Sequence, residues 1–177
     1  RAQPKLYDYA YNLRSKAAVR AQLDLITQKP VLFVSMAFPA RLGCLSVIMP
    51  LCAHPTNTNA VIACDLRIDP TRWLSLSGEE LAVRLYKRQS DLPVGEEPLP
   101  LYVIATNKCP IVAPFGVLDE TLAAEYGLDK SVWLPHFEAI RARRDVSATL
   151  TKAFSHAGEG DPETDPDFMI YSGFFGD

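Results

Sequence analysis

Cys109 and His54 are the pair in this sequence that could in principle run nucleophilic catalysis, an imidazole drawing the proton from a thiol. Cys109 precedes Pro110, and the apolar runs around it predict a thiol turned into the core. The acid pairs Glu79-Glu80 and Glu96-Glu97 are adjacent in sequence, and adjacent side chains on a helix do not converge on one metal; they read as solvated surface. No P-loop, GxGxxG or HExxH motif occurs. The four cysteines, Cys44, Cys52, Cys64 and Cys109, include no CxxC pair and read as reduced, mostly buried thiols of a cytoplasmic protein. Binding chemistry is better represented. Tyr7, Tyr9 and Tyr11 interleave with Arg14, Lys16 and Arg20, a mix of aromatic faces that stack bases and cations that neutralise phosphates. The same pattern also suits an amphipathic helix with its tyrosines on a core. Asn57 and Asn59, in the polar stretch His54–Asn59, could reach phosphate or sugar oxygens, or serve only the turn. The stretch ATNKCPIVAP, residues 105–114, ends an apolar run on an amide, a cation, a thiol and a proline.

The elements that must position these residues follow from periodicity. An apolar stripe predicts a helix over residues 4–28, stopped by Lys29-Pro30. Residues 31–38 (VLFVSMAF), 46–49 and 60–66 predict strands, the last forming an antiparallel hairpin with residues 44–53 through the 54–59 turn. Asp69-Pro70-Thr71 reads as a turn. Ser77 with Glu79 and Glu80 predicts a capped helix from there to about residue 89. Strands at 99–105 and 110–113 follow, then helices at 119–126 (closed by Gly127), 131–143 and 146–157. Short strands, tight turns and no βαβ alternation predict an α+β fold: a small antiparallel barrel with helical appendages at both ends.

Apolar residues make up 48% of the 177 and charged residues 22%, an ordinary globular balance. No apolar stretch approaches the roughly 18–20 residues that span a bilayer, so no membrane is expected as a partner. The net charge of −3 argues against a nucleic-acid binder, but its distribution does not. Residues 1–41 carry a net +5, and the remainder −8, much of it in Glu159, Asp161, Glu163, Asp165, Asp167 and Asp177. The chain opens on Arg1 rather than Met and is read as a piece of something longer.

Taken together and in order, Gln3-Pro4-x-Leu6-x-Asp8-Tyr9, Lys29-Pro30, His54-Pro55-x-Asn57-x-Asn59-Ala60-Val61-Ile62, Arg84-Leu85-Tyr86, Asp91-Leu92, Asn107-Lys108-Cys109-Pro110 and Tyr171-x-Gly173-Phe174-Phe175-x-Asp177 resemble the middle region of bacterial exodeoxyribonuclease I. Members of that family are processive 3′→5′ single-strand DNA exonucleases of repair and recombination that release 5′-mononucleotides. The resemblance implies an SH3-like barrel: residues 1–28 a linker helix after a nuclease domain, 29–157 the barrel with its helices, and 158–177 an acidic loop and aromatic tail leading to a helical domain. It also implies that Mg²⁺ belongs to the nuclease domain, outside this chain, so that no cofactor is bound here and the fragment alone is inactive and monomeric.

Two sets of residues carry over by that resemblance. Arg14, Lys16, Asn59, Tyr102, Thr106, Asn107, Lys108 and Tyr171 match positions along the single-stranded DNA path, with Lys108 as a phosphate cation and Tyr171 as a stacking aromatic. Tyr9, Lys29, Leu134 and Arg141 match the pocket for the acidic C-terminal tail of single-stranded DNA-binding protein. Here the chain departs from the pattern, with Pro114 and Asp119 where relatives carry a Gln and an Arg. Two other readings compete: a free-standing thiol hydrolase using Cys109, and a barrel scaffold without DNA contacts.

Overall fold

A computed structural model describes residues 4–85 and 98–155. The order is α1 (Pro4–Asn12), α2 (Lys16–Gln22), β1 (Val31–Val34), β2 (Leu45–Ala53), β3 (Ala60–Asp65), α3 (Thr71–Leu74), α4 (Gly78–Leu85), β4 (Leu101–Ala105), β5 (Ile111–Pro114), α5 (Glu120–Glu125), α6 (Lys130–Ala142) and α7 (Val146–Ser155). The strands form one antiparallel sheet in the order β4-β3-β2-β1-β5. No helix among the described residues is long and apolar enough to cross a membrane.

The expected α+β class is borne out, but the pairing leaves an open sheet rather than a closed barrel, with β4 and β5 as its two edges. Those edges are nonetheless consecutive in the chain, joined by residues 106–110. Laid flat, five strands would separate them by about 19 Å, at ~4.8 Å per interval. The linking segment cannot stretch that far, because Lys108 N–H turns back to Ala105 O at 3.2 Å. The sheet must therefore curl to bring its edges together.

Alternation along the strands divides the core in two. Leu32, Val47, Met49, Ile62 and Cys64 face the helices α3–α7, where Trp73, Leu81, Trp133, Ile140 and Leu150 are buried. Val31, Ile48, Val61, Ala63, Ile104 and Val112 face the other way, under Leu13, Val19 and Leu23 of the N-terminal helices. On this second face period 2 also brings Ser46 and Asp65 into the interior, both fully buried. Ser46 Oγ donates to Asp65 Oδ1 at 2.5 Å, and Arg67 Nη2 donates to Oδ2 at 2.8 Å. The Arg67 guanidinium lies over the Phe38 ring, 5.2 Å from its centre.

Several elements depart from the pattern read in the sequence. The expected single helix over 4–28 is broken at residues 13–15. Arg14 and Ser15 make i−3 hydrogen bonds, and Ser15 is extended (φ −83°, ψ 122°) before α2 begins. The second helix stops at Gln22, well before Pro30, where Asp24 draws the chain into a turn by accepting from Ile26 N–H and Thr27 Oγ. The short strand expected at 46–49 is longer, running through Pro50 to Ala53 as the expected 44–53 hairpin arm requires. Pro50 has no N–H for the ladder, and the register with β3 shifts between Pro50 and Cys52, a bulge that lets the strand continue. The turn read at 69–71 opens a short helix, α3, whose Trp73 is buried. The reciprocal cap at α4 is formed as expected: Ser77 N–H to Glu80 Oε2 at 2.8 Å, and Glu80 N–H to Ser77 Oγ at 3.3 Å. Gly127 closes α5 with φ +66°.

Candidate nucleic-acid interface

Two turns and the N-terminal helices meet at one end of the sheet. The β2–β3 turn is built from its own polar groups. His54 Nδ1 accepts from the backbone N–H of Thr56 and Asn57 at 3.3 and 3.2 Å, and Asn57 Oδ1 accepts from Asn59 N–H at 2.9 Å. The Asn59 carbonyl accepts twice from Thr106, from N–H at 2.7 Å and from Oγ1 at 2.9 Å, which ties this turn to the β4–β5 turn. From α2, Lys16 Nζ donates to Asn59 Oδ1, and Arg20 Nη2 donates to the Thr58 carbonyl. The Asn59 amide Nδ2 has no hydrogen-bond partner among the described residues.

Lys16 and Thr106 thus both hydrogen-bond to Asn59. Asn107 and Lys108 follow at once on the same turn, both exposed. Arg14 is exposed near the start of α2, its guanidinium 5.3 Å from the centre of the half-exposed Tyr11 ring. The cation–aromatic pattern of the sequence therefore splits. Tyr11 faces solvent beside a cation, whereas Tyr9 is half-buried, and its hydroxyl donates to Val112 O at 2.6 Å. That burial raises the Tyr9 phenol above its ordinary pKa.

Two of the expected contact residues are turned inward. Thr106 is buried and its hydroxyl is committed to Asn59, so it holds the turns together rather than offering a donor to solvent. Tyr102 is half-buried with its ring edge on Phe38, centroids 5.0 Å apart. Burial is the chief cause raising its pKa. Tyr171 lies outside the described residues. Cys109 is a correction in the opposite sense: it is exposed, not buried. It lies in the β4–β5 turn with a left-handed backbone (φ 49°), on the same parity as the exposed Val103 and Ile111. Among the described residues no histidine hydrogen-bonds to it, and the Nδ1 of His54 is engaged by its own turn. All four cysteines are free; Cys52 and Cys64 are buried, and burial pushes the Cys52 thiol up to about 11 and Cys64 higher still. Among the described residues no three His, Cys, Asp or Glu side chains converge as a metal site.

Among the described residues no hydrogen bond or ion pair joins Tyr9, Lys29, Leu134 and Arg141, and Tyr9 is the one bonded to the edge strand β5. Tyr9 reaches it at Val112. Lys29 lies two residues before Val31, the partner of Pro114. Leu134 sits on α6 beside Trp133, whose ring meets Phe115 edge-on at 4.8 Å. Arg141 lies seven residues further along α6, over the Phe137 ring at 5.4 Å. It rims a hollow of about 350 Å³ with Arg143 and Arg144, floored by Met49, Leu51 and Ile140. Asp119, where a cation was expected, is the N-cap of α5: its Oδ1 accepts from Leu122 N–H at 2.8 Å. The sequence reading gave no role to Arg20 as a clamp on Thr58 or to His54 as the acceptor inside the turn. The signal for His54 was its place two and three residues before backbone donors in a Pro/Asn turn.

A curled, open SH3-like sheet with helices on both faces, and with polar turns and cations gathered at one end, defines the class. The family model described as the exonuclease I SH3-like domain matches residues 14–156, and the chain belongs to that family. It is 33% identical to exodeoxyribonuclease I of Escherichia coli K12 and 32% identical to that of Haemophilus influenzae. Those matches cover 99% and 98% of this chain but 37% of each relative, so the chain spans little more than a third of their length. Among solved structures it is similar to a moderately thermophilic exonuclease I from Methylocaldum szegediense (TM-score 0.83, 32% identity, 99% of this chain and 36% of that one). It is also similar to E. coli exonuclease I in complex with a dA16 oligonucleotide (TM-score 0.81, 32% identity, 99% and 37%).

Proposed function

We propose that this chain is the single-strand-DNA-holding part of a 3′→5′ exodeoxyribonuclease. The observation that carries this reading is the junction at Asn59, where a side chain from α2 and the β4–β5 turn grip one residue beside the exposed Asn107 and Lys108. Lysine and arginine would neutralise phosphates, and the amides would hydrogen-bond backbone oxygens, contacts that position a strand without reading its sequence. Kinship with a nuclease crystallised on oligonucleotides supports the assignment. The bond-breaking step, with its Mg²⁺, is assigned to the remaining length of the parent protein. Accordingly the isolated chain should release no nucleotide from single strands in the presence of Mg²⁺; release would overturn that assignment. The binding role is tested by measuring oligonucleotide affinity against salt. Lys108→Ala should weaken binding and flatten the log–log slope by roughly one unit, whereas an unchanged slope would remove Lys108 from the strand path.

A second surface favours a partner. The arginine-rimmed hollow beside Arg141 suits an acidic peptide ending in an aromatic residue and a carboxylate, the chemistry of the single-stranded DNA-binding protein tail. Arg143 is engaged with Asp145 at 2.9 Å, which leaves Arg141 and Arg144 as the principal cations. Titration with such a peptide should show weaker binding by Arg141→Ala; equal affinities would exclude that residue.

A further inference from the structure

The β2–β3 turn hangs on one titratable atom. Two backbone N–H groups, of Thr56 and Asn57, and the Thr56 hydroxyl at 3.4 Å all converge on His54 Nδ1. Backbone N–H can only donate, so Nδ1 holds a lone pair and the ring is neutral with its proton on Nε2. The other side of the imidazole meets the Phe154 ring of α7 edge-on, centroids 5.4 Å apart, which fixes the plane of the ring. From this atom the hydrogen bonds run outward: Asn57 Oδ1 to Asn59 N–H, Asn59 O to Thr106, and Asn59 Oδ1 to Lys16.

We infer that neutral His54 is a positioning residue: its Nδ1 lone pair holds the β2–β3 turn in the shape that presents Asn59 to Lys16 and Thr106. Protonating the ring converts this acceptor into a donor facing two donors, and the turn must open. The surroundings do not offset that change. Residues 55–59 carry no ionisable side chain, and the cation of the last turn of α7, Lys152, is engaged by Glu79. Partial burial disfavours the charged ring, and no charged group contributes to the shift. The sign follows: with the folded-state value below that of the free imidazole, the neutral ring and the closed turn are maintained at neutral pH. They are lost as pH falls through the lowered value. That the turn is held for the benefit of single-stranded DNA rests on the function proposed above.

Asparagine places its Oδ1 where histidine has Nδ1 and cannot titrate in this range, so His54→Asn keeps the acceptor and removes the switch. Amide exchange at Thr56, Asn57, Asn59 and Thr106, and affinity for a dT oligonucleotide, would be measured from pH 5 to 8 in the wild type, His54→Asn and His54→Ala. The inference predicts that exchange protection and affinity fall together in the wild type as pH drops. The affinity loss should be about three- to tenfold, the scale of one or two ordinary hydrogen bonds. His54→Asn should hold both nearly constant, and His54→Ala should show the reduced values at every pH. Protection that ignores both pH and His54→Ala would overturn the inference. Protection that responds while a measurable affinity does not would overturn the positioning role. If protection responds but the wild type binds no oligonucleotide at any pH, the turn device stands and the DNA-binding reading fails.

Discussion

Arg67→Ala tests how the curled sheet tolerates a carboxylate in its interior. Asp65 is fully buried, and its side chain is 1% exposed against 12% for Arg67. Removing the guanidinium takes away the pairs from Nε and Nη2 but leaves the Ser46 hydroxyl and the backbone N–H of residue 67, at 2.5 and 2.9 Å. Breaking a buried ion pair by deleting one partner costs about 3–5 kcal/mol. The two surviving donors place this case at the lower end, about 3 kcal/mol. For a chain of this size that corresponds to a melting temperature lower by about 6–12 °C. Urea and thermal denaturation followed by circular dichroism read both quantities. The pair is not intrinsically favourable, since among the described residues Arg67 Nη1 is buried without a partner. The double variant Asp65→Asn/Arg67→Met should therefore recover most of the loss. An Arg67→Ala protein within about 0.5 kcal/mol of the wild type, well below the range for a broken buried pair, would refute the argument that Arg67 holds the Asp65 charge.

Thr106→Val should cost only about 0.5–1.5 kcal/mol, the value of one hydrogen bond, because the Asn59 carbonyl keeps the Thr106 N–H; a urea titration measures it, and a loss above about 3 kcal/mol would mean that the carbonyl is left unsatisfied. Thiol labelling of the native protein at pH 8, read by mass spectrometry of peptides, should modify Cys109 first and Cys44 more slowly, with Cys52 and Cys64 reacting only on unfolding. Labelled Cys109 should leave oligonucleotide binding within a few fold, and tying its modification to loss of a hydrolytic activity would revive the thiol-enzyme reading.

The features legible in the sequence were those carried by local chemistry. Ser77 with Glu80 announces a reciprocal cap, Gly127 a left-handed helix end, and the His54–Asn59 run a turn between two strands, and each forms as read. Elements whose shape depends on distant packing were less legible. Pro50 looked like a strand end, yet a bulge carries β2 past it because Leu51 and Cys52 have a helical face to fill. The break at Ser15 lets Leu13, Val19 and Leu23 all reach the same core, which one straight helix of that pattern did not require. At the candidate site the pattern located the two turns but not the direction of each side chain. Thr106 is buried because the alternation of β4 carries it inward with Ile104, and Cys109 is exposed because it sits in the turn beyond the strand. Asp119, read as standing where relatives carry an Arg, also caps α5, a local use that depends on its backbone geometry.

The central claim is that the Asn59 junction and the turn beyond it lie on the path of a single DNA strand. The most direct measurement is a titration of the isotopically labelled protein with a dT oligonucleotide, followed by amide and side-chain chemical shifts. The account predicts the largest shifts at Asn59, including its side-chain amide, and at Asn107, Lys108 and the start of α2, with α5–α7 little changed. Saturable shifts confined to α5–α7, or none at any oligonucleotide concentration reached, would contradict it.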